Sequence, residues 1–252
     1  MRNWRCGSVS TLVAALTLVP AHAAEPTPPI LQLYSYQVAD KALFEDGYRR
    51  HLGWHAAHAD KLVWYGWMVD SGRRKGLFVD GTAGASYAGL DARPDPAGDG
   101  ADAARTFLPQ VHAVNVETWE LWRLPSTGTP LEDRAPGAVI DVFVMRVPMR
   151  DAAMFERAVE HIAARRGTDG PVLTWYRAVR GGALPAYMLT LNRTYWAELE
   201  RTGSSLGALL SRTYGVEPAE IEPIFRALSD VEVESWSYQP HLSLIPGQAL
   251  AP

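Results

Sequence analysis

The chain has 252 residues, 47% of them hydrophobic, with a formal net charge of −4 and a single cysteine. This length suits one large domain or two domains of about 100–120 residues each. The acidic balance and the lack of a basic patch argue against a nucleic-acid partner. One cysteine is too few for an intramolecular disulfide or a multi-thiolate metal site.

Residues 1–23 have the pattern of a secretory signal peptide. Two arginines within the first five residues precede a short apolar run, Val9–Pro20, and Ala21-His22-Ala23 resembles a small-x-small cleavage site. The run is shorter than a membrane-spanning helix, and Cys6 lies upstream of it, which argues against a lipid anchor. We therefore predict a soluble periplasmic or secreted protein without membrane insertion. Its mature part contains no cysteine and has a net charge of about −6.

The rest of the sequence contains an internal duplication. Phe44-Glu45 and Trp64-Tyr65 recur 111 residues later as Phe155-Glu156 and Trp175-Tyr176. Two copies of one supersecondary unit in a chain commonly bury faces against each other. The duplication therefore predicts two domains of related structure.

A third pair of similar segments, Val114–Trp119 and Val231–Trp236, lies at the end of each copy. We place the first domain at 28–124 and the second at 138–240. A linker rich in Pro, Gly, Ser and Thr, 125–137, separates them, and a Pro-rich tail, 241–252, follows.

Each copy predicts the order strand, helix, strand, strand, helix, strand. In the first copy the predicted elements are a strand at Ile30–Val38, a helix at Lys41–His58, strands at Lys61–Val69 and Gly76–Gly81, a helix from Tyr87, an irregular loop at Asp91–Gly100, a helix at Ala101–Gln110 and a strand at Val114–Leu124. In the second copy they are a strand at Ala138–Val147, a helix at Asp151–Arg166, strands at Val172–Arg180 and Ala186–Asn192, a helix from Tyr195, a helical stretch at Glu220–Leu228 and a strand at Val231–Tyr238.

A βαββαβ unit folds as one antiparallel sheet with two helices on one face, and two such sheets can cover each other. Together with aromatic strands such as Trp64-Tyr65-Gly66-Trp67, this order resembles the dimeric α+β barrel superfamily, in its NIPSNAP-like or antibiotic-biosynthesis-monooxygenase-like forms. The resemblance implies an α+β fold of two tandem ferredoxin-like units. Their sheets would pack face to face within one chain, as a monomeric pseudo-dimer. The superfamily includes cofactor-free oxygenases, haem-binding enzymes, stress proteins and members without assigned activity, so fold does not select a function.

The first predicted helix carries a histidine stripe that the second copy lacks. The residues Phe44, Tyr48, His51, His55 and His58 follow spacings of 4, 3, 4 and 3, which place them on one helix face. The second copy has Phe155, Val159, Ile162, Arg166 and Asp169 at these positions. The histidines can form the polar end of a pocket, a general base, or metal or haem ligands. Alternatively, they are partly exposed residues favoured by the helix dipole.

From this asymmetry we predict a pocket that binds a small apolar or aromatic molecule. The predicted ligand-binding residues are Tyr48, His51, His55, His58, Trp64 and Tyr65. The sequence assigns no catalytic residue, no metal and no cofactor. The alternatives are a cofactor-independent monooxygenase-like or haem-binding enzyme, and a non-catalytic interaction module that uses the Asp91–Gly100 loop or the terminal arms.

Two sets of carboxylates complete the candidates. Glu117 and Glu234 occupy equivalent strand positions. We expect them either to form structural ion pairs with arginine, for which Arg146 and Arg177 are available, or to act together in acid–base chemistry. The acidic residues between Asp91 and Asp102 lack the spacing of a calcium loop and predict a solvated acidic loop.

Overall fold

The computed structural model describes residues 29–129, 136–166, 170–203 and 205–251. The predicted signal peptide at 1–23, the centre of the linker and Asp169 lie outside these ranges. The first half contains β1 (Ile30–Val38), α1 (Lys41–Ala57), β2 (Tyr65–Val69), β3 (Phe78–Ala85), α2 (Tyr87–Asp91), α3 (Pro96–Thr106) and β4 (Val111–Trp122). The second half contains β5 (Val139–Arg146), α4 (Ala152–Ala163), β6 (Leu173–Arg180), β7 (Ala186–Arg193), α5 (Glu198–Thr202), α6 (Leu206–Tyr214), α7 (Pro218–Ala227) and β8 (Asp230–Tyr238).

The described strands form one closed antiparallel barrel in the order β1-β3-β2-β8-β5-β7-β6-β4, with the helices packed outside it. The prediction of two separate sheets packed face to face is therefore wrong. β2 pairs with β8, and β4 pairs with β6, so the edges of the two halves are joined by hydrogen bonds. The physical reason is that an unpaired strand edge exposes backbone N–H and C=O groups, and closure pairs them.

Three apolar clusters follow from this closure. The barrel interior holds residues from both halves, among them Trp67, Trp119, Tyr176 and Trp236. Each half also packs its own helices on the outer face of the barrel, around Phe44 in the first half and Phe155 in the second. Among the described helices, none combines the length and apolar character needed to cross a bilayer.

The segment that follows β8 packs against the first half. Leu242 and Leu244 are buried in the cluster around Phe44. The backbone N–H of Trp64 donates to the carbonyl of Leu244 at 2.8 Å, and the N–H of Leu244 donates back at 2.7 Å. The chain therefore returns from the second half to hold the segment that precedes β2.

α1 and α3 are the elements that position the pocket described below. Asp40 caps α1 by accepting a hydrogen bond from the N–H of Leu43. α3 begins with Pro96 after the cap residue Asp95, so the predicted irregular loop at Asp91–Gly100 is largely helical. The two helices approach closely at Gly47. A Cβ at this position would lie only 2.3 Å from the carbonyl oxygen of Thr106, so the contact requires glycine.

Candidate functional site

The inward face of α1 buries two of its three striped histidines. His51 and His55 are 6% and 3% exposed, whereas His58 is exposed at the end of the helix. His58 stacks on Trp54 with 3.9 Å between ring centroids, and its Nδ1 lies 2.8 Å from the carbonyl oxygen of Trp54. The helix turns His58 away from the other two histidines.

Each buried histidine has a carboxylate behind it. The Nδ1 of His51 lies 2.9 Å from Asp102, and the Nδ1 of His55 lies 2.8 Å from Asp60. Burial alone would raise the pKa of Asp60, but hydrogen bonds from His55, the N–H of Leu62 and the indole of Trp64 outweigh it and lower the pKa to about 2. An ionised carboxylate only accepts hydrogen bonds, so the Nδ1 of His55 carries the proton. In a neutral imidazole its Nε2 is then an acceptor.

The two Nε2 atoms converge with a third acceptor from α3. The Nε2 atoms of His51 and His55 are 3.2 Å apart. Oδ1 of Asp99 lies 3.2 Å from the first and 3.4 Å from the second. Three lone-pair-bearing atoms at this spacing repel one another unless a proton or another cation lies among them.

Two arginines form ion pairs with the carboxylates of α3. Arg93 forms an ion pair with the second oxygen of Asp99 and lies over the ring of Trp64, 5.3 Å from its centroid. Arg105 binds the second oxygen of Asp102 at 3.0 Å. Burial raises the pKa of Asp99, but the hydrogen bond from His51 and the charge of Arg93 outweigh it, so the pKa is lowered.

The converging atoms line a pocket of about 220 Å³ between the helices and the outer face of the barrel. Its wall is Tyr34, Tyr36, Tyr48, His51, His55, Trp64, Asp80, Arg93, Asp99, Ala103, Phe107, Leu108, Val114 and Val116. Most of this surface is apolar or aromatic, with a small number of polar groups. Such a composition is common in small-molecule sites.

Asp80 is the most deeply buried carboxyl group of this wall, at 3% exposure. Its Oδ2 accepts hydrogen bonds from the hydroxyls of Tyr48 at 2.5 Å and Tyr36 at 3.4 Å. Its Oδ1 is buried and has no hydrogen-bond partner among the described residues. Burial raises the pKa of Asp80 to about 7, against the effect of the two tyrosine hydrogen bonds.

The structure brings together four of the six residues that the sequence predicted as ligand-binding. Tyr48, His51, His55 and Trp64 all line the pocket. His58 lies outside it for the reason given above. Tyr65 lies on β2 beside Trp67 and Tyr238, and it borders a separate apolar cavity inside the barrel. Alternation along a strand explains this placement, because successive side chains point to opposite faces.

Sequence reasoning missed the acidic half of the site. Asp60, Asp80, Asp99 and Asp102 were not predicted as site residues, and the last two were assigned to a solvated loop. That assignment is wrong, because α3 turns Asp99 and Asp102 toward α1. Their spacing of three residues, after the helix-start pattern Asp95-Pro96, was the signal available in the sequence.

The glutamates at equivalent strand positions do not join this pocket. Glu234 is buried and forms a two-pronged pair with Arg74, with contacts of 2.8–3.2 Å. Arg146 and Arg177, the partners that the sequence offered, instead bind Glu232 and Glu156. Glu117 lies near the indole N–H of Trp119, at 3.4 Å.

No protein-family model matches the sequence, and no match is found among curated proteins. Solved structures do match. A candidate monooxygenase from Lactobacillus acidophilus has a TM-score of 0.55 at 13% identity, over 84% of this chain and 94% of its own. A candidate monooxygenase from Fusobacterium nucleatum has a TM-score of 0.53 at 10% identity, over 84% and 93%. An anthrone oxidase-like protein has a TM-score of 0.51 at 10% identity, over 89% and 96%.

At these identities the similarity shows only that the folds are alike. It does not indicate that this chain has the activity of those proteins. The neighbours belong to the dimeric α+β barrel, or ferredoxin-like, superfamily. This chain shares the architecture of these solved structures, and both halves of its barrel lie in one polypeptide.

Proposed function

We propose that this is an exported protein that binds one divalent transition-metal ion through Nε2 of His51, Nε2 of His55 and Oδ1 of Asp99. The ion would act on a small molecule held beside it in the pocket. The observation that carries the proposal is the convergence of these three acceptor atoms within 3.4 Å of one another.

The spacing of the three atoms suits a metal ion. Metal–ligand bonds of about 2.0–2.1 Å in tetrahedral geometry place neighbouring ligand atoms about 3.3–3.4 Å apart. The three observed separations are 3.2, 3.2 and 3.4 Å. The cluster therefore needs little rearrangement to accept an ion.

The surroundings of the two histidines also fit. In metal sites the ring nitrogen that faces away from the ion commonly donates to a carboxylate or carbonyl, which fixes the tautomer and ring orientation. Asp102 and Asp60 occupy this position behind His51 and His55. Both carboxylates are buried, and each leaves the Nε2 atom of its histidine facing the third acceptor.

The charge of the cluster supports the same conclusion. Three carboxylates, on Asp60, Asp99 and Asp102, are balanced by only two guanidinium groups, on Arg93 and Arg105. With neutral histidines the cluster has one excess negative charge. A cation among the three acceptors removes that excess.

In the metal-free protein a proton can serve as that cation. Burial lowers the pKa of His51, but hydrogen bonds with Asp99 and Asp102 outweigh it and raise the pKa overall. Metal and proton compete for the same Nε2 atom, so metal affinity falls as the pH is lowered.

The donor set indicates the chemistry. Two imidazoles and one carboxylate leave open coordination positions, here on the pocket side. The set is used by catalytic zinc, which activates water, and by non-haem ferrous iron, which binds oxygen. Because raw affinity follows the same order of metals at most such sites, the uses are distinguished by the metal that co-purifies with the protein and by oxygen consumption after loading with Fe²⁺ or Zn²⁺.

The experiment is a metal titration of the mature protein after treatment with a chelator. We expect one Co²⁺ per chain, with the intense visible absorption of a low-coordinate site, and one Zn²⁺ that displaces it. His51→Ala, His55→Ala and Asp99→Asn should each weaken binding by at least about 100-fold. The matched control is His58→Ala, on the same helix but outside the pocket, which should bind as the wild type does. Equal binding by wild type and a His51→Ala/His55→Ala double variant would refute the proposal.

A second candidate is a cofactor-independent oxygenase in which a histidine acts as base. It is favoured by the two Asp–His pairs, each of which presents an Nε2 atom to the pocket. The solved structures described as monooxygenases are compatible with it. Oxygen consumption that survives complete metal removal would support it, and a Soret band in the purified protein would favour the haem-binding alternative. The mass of the mature amino terminus tests export.

A further inference from the structure

Resting on the metal site proposed above, we propose that its open position takes a small weak acid as the anion, while the acid's proton is kept in the pocket on Asp80. In this step the bond between the acid and its proton breaks, and an O–H bond forms on the Asp80 carboxylate. The anion becomes a ligand of the ion. No electron transfer is involved, and atoms and charge balance.

The charge of the loaded cluster favours an anion. The one excess negative charge of the metal-free cluster becomes one excess positive charge when a divalent ion binds. Either an ionised Asp80 or an anionic ligand can neutralise it. Both together would leave a negative charge in a half-buried pocket, which is costly. Arrival of an anion should therefore drive a proton onto Asp80.

The geometry of Asp80 is suited to hold that proton. Both tyrosine hydroxyls reach the same oxygen, Oδ2, and among the residues that the structure describes none donates a hydrogen bond to Oδ1. A buried carboxylate oxygen with no hydrogen bond is rare, because it loses its hydration and gains nothing in return. Protonation removes the charge and so relieves that cost. Asp80 lines the same pocket as His51 and His55, so proton holder and metal site share one cavity.

The groups that act on Asp80 come from three elements. Burial is the main influence and raises its pKa to about 7. The charges and hydrogen bonds that modulate it come from Tyr36 on β1, Tyr48 and His51 on α1, and Asp99 on α3. A divalent ion at the neighbouring site would lower the pKa of Asp80, and an anion bound to that ion would raise it again, so anion binding favours protonation of Asp80.

The test uses azide as the probe anion and the zinc-loaded protein. Azide binding is followed by calorimetry at about pH 8 in two buffers of different ionisation enthalpy, which gives the number of protons taken up. We expect uptake approaching one proton per azide in the wild type. Asp80→Asn keeps an oxygen for the tyrosine hydroxyls, should bind zinc normally, and should take up clearly fewer protons. Displacement of a metal-bound hydroxide would also take up a proton, and Asp80→Asn favours that hydroxide by removing a negative charge, so lower uptake in the variant does not come from this source.

Two further variants sharpen the result. Tyr48→Phe removes a hydrogen bond that lowers the pKa of Asp80, so the uptake should persist to higher pH than in the wild type. Tyr65→Phe, a matched change outside the pocket, should leave the uptake unchanged. Equal uptake by wild type and Asp80→Asn overturns this inference, as does the failure of azide to bind a protein shown to hold one zinc. A protein that holds no zinc at all instead overturns the proposed function, which the metal stoichiometry reveals first.

Discussion

The two buried histidines of α1 each depend on a carboxylate that lies elsewhere in the chain. Asp60 follows the helix directly, whereas Asp102 comes from α3. These partners determine which nitrogen faces the pocket, and so whether the histidines accept or donate there. The two carboxylates do not themselves face the ligand, but they determine the hydrogen-bonding role of the histidine nitrogens that do.

Asp80 provides a pH-dependent test of this pocket at the level of one residue. Its pKa is about 7 when folded and near 3.9 when unfolded. Between these values the folded state binds more protons, so this residue makes the protein less stable as the pH rises from about 4 to about 7. By linkage the loss approaches about 4 kcal/mol.

Asp80→Asn should remove that pH dependence. Relative to the variant, the metal-free wild type should become progressively less stable across this range, as measured by urea unfolding at several pH values. Parallel pH profiles for the two proteins would show that the carboxyl group ionises normally.

At this scale the sequence predicted only part of the site. His51 and His55 stood out because the second copy has Ile162 and Arg166 in their places. Asp99 lies 44 residues beyond His55, and no local pattern links the two. Such a contact is created by helix packing, which the sequence of either helix alone does not encode.

The packing of α1 against α3 is the feature that assembles these residues. Gly47 allows the contact because a Cβ at this position would meet the backbone of Thr106 and Phe107 at 2.3–3.0 Å. Gly53 lies on the same helix and has open space around it. The two glycines therefore offer the same substitution with and without a clash.

Gly53→Ala should stabilise the protein by about 0.5–1 kcal/mol, because alanine favours the helix. Gly47→Ala gains the same propensity but must push α3 away. We expect a net loss of about 1–3 kcal/mol and weaker metal binding, since Asp99 and Asp102 would move with α3. Urea unfolding and the cobalt titration measure both effects. If the two variants had similar stability and similar cobalt affinity, the contact between α1 and α3 at Gly47 would not be what positions Asp99 and Asp102.

The strongly patterned elements could be predicted from the sequence, and α3 could not. β1 spans Ile30–Val38 as predicted, and α1, at Lys41–Ala57, ends one residue before its predicted end. In α3, Gly98 and Gly100 suggested a loop, yet both lie inside the helix. The cap formed by Asp95 and Pro96, together with packing on α1, outweighs the low helix propensity of glycine.

Closure of the barrel is the feature of the whole molecule that joins its halves. The duplication predicted two related halves, but it contained no information on which strand edges would meet. Pairing of β2 with β8 and of β4 with β6 makes the interior common to both halves. We therefore expect one cooperative unfolding transition, with coincident tryptophan fluorescence and far-ultraviolet circular dichroism.

A glycine at the β4–β6 junction tests this closure. Gly181 has φ +89°, and a Cβ there would lie 1.9 Å from the carbonyl oxygen of Val116. Gly76 has φ +91° but open surroundings. Gly76→Ala should cost about 1–2 kcal/mol for its backbone conformation alone. Gly181→Ala should cost about 1–3 kcal/mol more, because it also forces the strands apart. If urea unfolding showed that both variants lose the same free energy of unfolding, the close contact between Gly181 and Val116 would not contribute to stability.

The packing of the segment around Leu244 against the first half has a consequence for the order of events in folding. Leu244 forms its backbone pair with Trp64, and the indole of Trp64 binds Asp60, which in turn holds His55. During synthesis the first half appears before the second, and it lacks these supporting contacts until the segment around Leu244 has emerged. The residues proposed to bind the metal therefore lack this support until the second half has been made, so a chain that stops before Leu244 would not form a complete site.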